Sequence, residues 1–262
     1  MINKGKLWLC TLLLAGFWAC SDDTDNINED VTTEDVANVS SVDEATITFA
    51  DAVTISNQIL QDEEVFNGRV QQCYTVSETQ TENQLLVTFE TECEGLDGKV
   101  RSGSFLIDRT GALGTGDFSY TVTFDGYKVN GYGVSGSITT SNLIFKENGF
   151  SFNVMVNDGV VNCPDGKQIM YEQDFDYDFT LGEIIEIRIT GSSTGMGKEG
   201  VSYIASIKEP LLVIAGCDYV VSGSFEATFN GRPSVTVDYG DGACDNKATA
   251  SRGDHSITFE ID

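Results

Sequence analysis

The chain has 262 residues, 41 of them acidic against 15 basic, for a formal net charge of −26. That balance argues against nucleic acid and anionic lipid headgroups as partners, and it favours solubility. Glycine is frequent at 27 residues, proline is rare at 3, and Val, Ile, Thr, Phe and Tyr are prominent, a mix that suits many strands joined by tight turns. The length accommodates one large β domain or two small ones.

The chain begins with Lys4 and Lys6, then an apolar run from Leu7 to Trp18 that is within signal range and too short to span a bilayer. Ala19 supplies a small residue before Cys20. This ending resembles a bacterial lipoprotein signal. Ser21, Asp22 and Asp23 resemble the short acidic export tag that follows the lipid-bearing cysteine in surface lipoproteins of the Bacteroidota. The resemblance implies a signal peptide over residues 1–19, lipidation of Cys20, and a protein tethered at the outer membrane and displayed on the cell surface. Two or more acyl chains suffice to hold a soluble domain on a bilayer. No later stretch approaches the length of a membrane helix, so the membrane is reached through the lipid. Loss of the signal removes Lys4 and Lys6 and no acid, leaving 13 basic and 41 acidic residues and a charge of −28.

Residues 20–41 are polar and acidic and read as a flexible spacer. From Val42 to Leu60, with an outer bound at residue 66, Val42, Ala45, Phe49, Val53, Ser56 and Leu60 recur at helical spacing, although β-branched residues are numerous. This stretch predicts a short helix covering one face or end of a sheet.

Residues 67–262 read as a single antiparallel β domain. Cys73 to Thr79 and Gln84 to Cys93 form the arms of a hairpin; folding it about Asn83 sets Cys73 opposite Cys93 and predicts a disulfide. Gly103 to Asp108 follows. Phe118, Tyr120, Val122 and Phe124 alternate with polar residues, as on a strand with one buried face. Asp125-Gly126, Asn130-Gly131, Asn148-Gly149, Asp158-Gly159 and Asp165-Gly166 read as turn punctuation. Gln168 to Phe179 pairs with Ile184 to Thr190 through Leu181-Gly182. Val201 to Lys208 comes next, Pro210 interrupts, and Leu211 to Ile214 is apolar throughout. Cys217 to Phe229 folds back about Gly231, which brings Cys217 next to Cys244 and predicts a second disulfide. Ser256 to Ile261 is the last strand. About a dozen short strands with regular turns read as an all-β sandwich or a curled multi-stranded meander. Gly-Ser pairs recur at Gly103-Ser104, Gly136-Ser137, Gly191-Ser192 and Gly223-Ser224, too irregularly for a propeller or solenoid.

In the last third, Cys217-Asp218-Tyr219, Val221-Ser222-Gly223 and the run from Asp238-Tyr239-Gly240-Asp241-Gly242 to Cys244-Asp245-Asn246 resemble the C-terminal pattern of a family of uncharacterised Bacteroidota surface lipoproteins. The resemblance supports the pairing of Cys217 with Cys244 and supplies no catalytic residue. Cys163 is left as the odd cysteine, with a free thiol or a link to a second copy as its alternatives.

Two acidic groups are candidate Ca²⁺ sites. Asp174, Asp176 and Asp178 share one face of a strand with Glu172, and Glu186 lies on the partner strand; Asp238, Asp241 and Asp245 surround two glycines. The plainer reading is a solvated outer face in the first case and a stapled turn in the second. Arg252-Gly253-Asp254 matches the tripeptide that integrins read, but three residues match by chance often. His255 is the single histidine, with no neighbouring nucleophile to form a triad. The sequence therefore predicts a non-enzymatic role in binding, adhesion or envelope structure, with an unidentified protein or glycan as partner. A carbohydrate-binding accessory of a glycan-uptake system and a hydrolase using paired carboxylates are the alternatives. Both tryptophans, Trp8 and Trp18, fall within the signal, which removes the residue sugar grooves use most.

Overall fold

The computed structural model describes residues 30–61 and 73–261. The signal, Cys20, the spacer up to residue 29 and residues 62–66 of the expected helix lie outside them. Among the described residues one helix, α1 (Thr33–Gln61), precedes thirteen strands. These are β1 (Tyr74–Glu78), β2 (Gln84–Glu94), β3 (Val100–Thr110), β4 (Ser119–Val129), β5 (Tyr132–Lys146), β6 (Gly149–Asn162) and β7 (Gln168–Thr180). The second half holds β8 (Glu186–Met196), β9 (Ser202–Ile214), β10 (Val220–Phe229), β11 (Val235–Asp241), β12 (Lys247–Arg252) and β13 (His255–Glu260). All thirteen form a single open antiparallel sheet in sequence order. The fold is an all-β curled meander with an N-terminal helix, and of the two architectures left open by the sequence the sandwich is excluded.

The helix starts within what reads as spacer: residues 33–41 are helical. Its first turn is closed by a capping box. Asp35 Oδ2 accepts from the Thr32 backbone N–H at 2.8 Å, and the Asp35 N–H donates to Thr32 Oγ1 at 3.2 Å. The hydroxyl-bearing residues that argue against a helix are accommodated in the same way throughout. Ser40, Ser41, Thr46, Thr48 and Thr54 each donate to the carbonyl four residues back.

Most of the helix circumference is buried, including Val39, Val42, Ala45, Phe49, Ala52, Ile55 and Ile59. A sheet curled around the helix explains this, and it explains why no single apolar stripe stands out in the sequence. Phe49 stacks on Tyr171 of β7 at 5.5 Å and meets Phe124 of β4 edge-on at 6.0 Å.

The curl comes from bulges. Gly103, Gly136, Gly191 and Gly223, the first members of the four Gly-Ser pairs, all have positive φ. Each sits beside a shift in strand register. A side chain at these positions would reach within 2.5 Å of a carbonyl oxygen on the neighbouring strand. Bulges bend a strand and increase its twist, so several of them along a wide sheet roll it up.

Two dipeptides expected as turns, Asp125-Gly126 and Asp158-Gly159, lie inside β4 and β6 instead. Gly126 and Asp158 have positive φ of 66° and 51°, and the register shifts there, so they are bulges as well. Asn130-Gly131 is a true turn, with positive φ at both residues. Pro210 does not end its strand: β9 runs through it, with register shifts on both neighbours that accommodate the missing N–H.

Candidate functional site

Two buried ion-pair clusters fix the helix in the curled sheet. At the start of the sheet, Arg101 on β3 grips Asp51 with two bonds, Nε to Oδ2 at 2.9 Å and Nη2 to Oδ1 at 2.6 Å. Tyr127 of β4 donates to Asp51 Oδ2 at 2.6 Å, and Lys99 reaches Oδ1 at 3.1 Å. Burial alone would raise the Asp51 carboxyl, but the bonds from Arg101 and Tyr127 outweigh it and hold it below the usual range. At the other end of the sheet, Arg252 of β12 grips Asp35, Nη2 to Oδ1 at 3.0 Å and Nη1 to Oδ2 at 3.2 Å. Burial works against Asp35 too, yet Arg252 and Thr32 leave its carboxyl lowered.

Between these clusters one face of α1 is not covered by the sheet. Val42, Asp43, Thr46, Ile47, Ala50 and Thr54 look into a cavity of 410 Å³, within the range of ligand pockets of ~300–1,000 Å³. Its far wall is the inner face of β6–β10, with Phe152, Phe175, Tyr177, Phe179, Ile187, Ile189, Ile207 and Val213 among the lining residues. The aromatic part is a cross-strand ladder: Phe152 stacks on Tyr177 at 5.5 Å and Phe150 on Phe179 at 4.5 Å. Ile47 and Thr54 on the helix and Asp218 in the β9–β10 turn are exposed, which marks where the cavity meets solvent.

The acid on the helix side of the cavity is Asp43, a half-buried residue with one carboxylate oxygen shielded. Its Oδ1 accepts from Tyr239 Oη on β11 at 3.0 Å. Its Oδ2 is shielded from solvent and accepts no hydrogen bond among the described residues. Burial, with a smaller push from the neighbouring Glu44, raises the carboxyl to about 7 in spite of the Tyr239 bond. Tyr171 and Tyr203 stand close enough for Asp43 to raise their phenols further than burial does. No lysine, arginine or histidine lines the cavity among the described residues.

The residues singled out from the sequence fall elsewhere. Cys73 pairs with Cys93 and Cys217 with Cys244, at Cα separations of 5.2 and 5.8 Å. The first hairpin does not fold about Asn83, however. Tyr74 lies opposite Phe89, and a bulge at Glu92, with φ of 60°, brings Cys93 round to Cys73. Cys163 is free and buried, which does not suit a link between copies.

The two acidic groups do not converge on a metal, and no cluster of three or more ligating side chains occurs among the described residues. Asp174 and Asp176 face out and are bridged by the Asn153 side-chain amide at 2.7 and 3.1 Å. Asp178 pairs with Lys146 and Glu186 with Arg188. Asp238 and Asp245 accept bonds from backbone N–H groups two residues on. Arg252 of the Arg-Gly-Asp tripeptide is buried against Asp35 and so unavailable to a receptor. His255 is exposed and lies 2.8 Å from Asp30. From the sequence, Asp43 with Glu44 at the expected helix start looks like a favourable first-turn charge; the earlier start at Thr33 places it mid-helix instead.

Comparison with protein-family models, with curated proteins and with solved structures returns no match. None of the helices in the described residues is long and apolar enough to cross a membrane.

Proposed function

We propose that the chain is a lipid-anchored, surface-exposed protein of the outer membrane with a non-enzymatic binding role, and that it holds an apolar ligand between α1 and the inner face of the sheet. The observation that carries this reading is the cavity, whose walls are aliphatic and aromatic and whose mouth is open. A domain stabilised by burial would not ordinarily leave such apolar surface facing empty space, since each unfilled volume forfeits packing. The two disulfides fit an oxidising compartment outside the inner membrane. The Bacteroidota-like signal and Cys20 supply the anchor.

The carbohydrate-binding alternative gains less support. Among the exposed large apolar side chains of the described residues Phe145 is the only aromatic, and a sugar platform needs several. A hydrolytic reading would place Asp43 and Asp218 in one cleft, but Asp218 is exposed at the mouth and the far wall is mostly aliphatic and aromatic, which favours retention of a greasy ligand over cleavage of a sugar.

The test uses the whole chain carrying Cys20→Ala, which needs no detergent. Nile red should bind with a blue-shifted rise in emission. Ala50→Phe, which places a ring in the cavity from the helix side, should abolish the rise while leaving the circular dichroism spectrum intact. Equal dye binding by both proteins refutes the reading.

A further inference from the structure

The helix carries Asp35, Asp43 and Asp51 at equal intervals, the outer two buried and the middle one half-buried with its Oδ2 shielded. The outer two are each neutralised by an arginine delivered from the sheet. The middle one is not: Tyr239 serves Oδ1, and Oδ2 accepts nothing among the described residues. Asp43 is also the one of the three that lines the cavity. A shielded carboxylate oxygen without a donor costs free energy, and at Asp35 and Asp51 this chain meets that cost with a cation.

We propose that the ligand is a single-chain amphiphile with a protonated amine head, the amine pairing with the Asp43 carboxyl group at the cavity wall and the chain lying among Phe152, Phe179, Ile189 and Ile207. This rests on the reading of the cavity as a ligand site. Charge complementarity selects the amine over other heads. A carboxylate or phosphate head would enter a cavity that has Asp43 inside, Asp218 at its mouth, no cation in its lining, and a net charge of −26 around it. An alcohol would hydrogen-bond to the carboxyl without balancing its charge. The amine does both, and it relieves the burial that now pushes the Asp43 carboxyl up to about 7.

Other groups around Asp43 do not supply that charge. Glu44, its neighbour on the helix, is paired with Lys198 from the β8–β9 turn. Tyr171 on β7, Tyr203 on β9 and Tyr239 on β11 are neutral phenols whose own titration is driven upward.

The experiment displaces Nile red from the Cys20→Ala chain with decylamine, decanol and decanoate at pH 7. Decylamine should bind about ten- to a hundredfold more tightly than decanol, the range of a charge-assisted hydrogen bond, and decanoate should be weakest. Asp43→Asn should bring decylamine down to decanol and leave decanol unchanged. Calorimetry of the wild-type chain in two buffers of different ionisation enthalpy should show release of about half a proton per decylamine bound at pH 7, because the amine drives Asp43 to its ionised form. Equal affinities for amine and alcohol, or no proton release, overturn the amine assignment even if the variant fails to fold. If none of the three displaces the dye, and the dye binds the Ala50→Phe chain equally, the cavity reading itself falls.

Discussion

Replacing Asp43 by Asn should make the protein more stable at high pH and leave it unchanged at low pH. In the unfolded chain this carboxyl titrates near its ordinary 3.8, and in the folded chain near about 7. Between those values the folded state keeps a proton that the unfolded state has released. Stability therefore falls as pH rises through the window, and the contribution is constant outside it. About three pKa units at about 1.4 kcal/mol each give a ceiling of about 4 kcal/mol. The carboxyl borders a cavity that water reaches, so about 2–3 kcal/mol is the expected size. Asn mimics the neutral acid and still accepts from Tyr239. Asp35 and Asp51 act with the opposite sign. Their folded carboxyls lie below the ordinary value, so each contributes stability above pH 3.8 that is lost as pH falls, but both are common to the two proteins and cancel in the difference. Urea midpoints followed by circular dichroism from pH 4 to 8, with disulfides intact, should show the two proteins level at pH 4 and the variant ahead by about 2–3 kcal/mol at pH 8. A difference that stays flat across this range, or one that grows toward acid, would refute the reasoning.

Four further outcomes are expected. Arg101→Met leaves Asp51 buried without its main partner and should cost about 3–5 kcal/mol by urea denaturation, whereas pairing it with Asp51→Leu should recover most of that loss. Gly223→Ala puts a methyl 2.4 Å from the Pro210 carbonyl oxygen at φ of +103° and should cost at least about 2 kcal/mol. Gly98→Ala, with φ of +73° and open space around it, should cost about 1 kcal/mol or less by the same measurement. Removing the Cys217–Cys244 bridge by Cys217→Ser with Cys244→Ser opens a loop of 27 residues and should cost about 3 kcal/mol, seen as a lower thermal midpoint.

Much of the sheet was legible because alternation is a local signal. The parity of Asp174, Phe175, Asp176 and Tyr177 states which side faces in, and β7 obeys it. The two disulfides were legible because each spans one hairpin. Other features needed knowledge of the other side of a contact. Asp125-Gly126 has the composition of a turn, but whether the chain reverses there or bulges depends on the neighbouring strand, not on the dipeptide. Lys247–Arg252 was missed as a strand because Ala248 and Ala250 are small for a β signal; they are buried where the sheet end meets the core. The capping box at Thr32 and Asp35 was present in the sequence and was masked by the acidic run around it. The arginines that complete the helix, Arg101 and Arg252, stand 50 and 217 residues from their aspartates, and no spacing rule links them.

The bulges roll the sheet, and the cavity follows from how the helix is held inside the roll. A helix tied near its start through Asp35 to β12, and in its second half through Asp51 to β3, holds the two sides of the rolled sheet at a fixed separation. The sheet can then close on most of the helix, but not on the sector where Asp43, Ile47, Ala50 and Thr54 project. Filling that sector with side chains would have required larger residues than Ala50 on the helix or Ala205 on β9. The pH behaviour of Asp43 reports on whether the sector is meant to be filled. Decylamine paired with the Asp43 carboxyl would return it toward its ordinary value and erase the loss of stability between pH 4 and 8. The wild-type curve with amine would then rise to meet that of Asp43→Asn, while decanol, which leaves the charge unbalanced, would raise the curve without changing its slope.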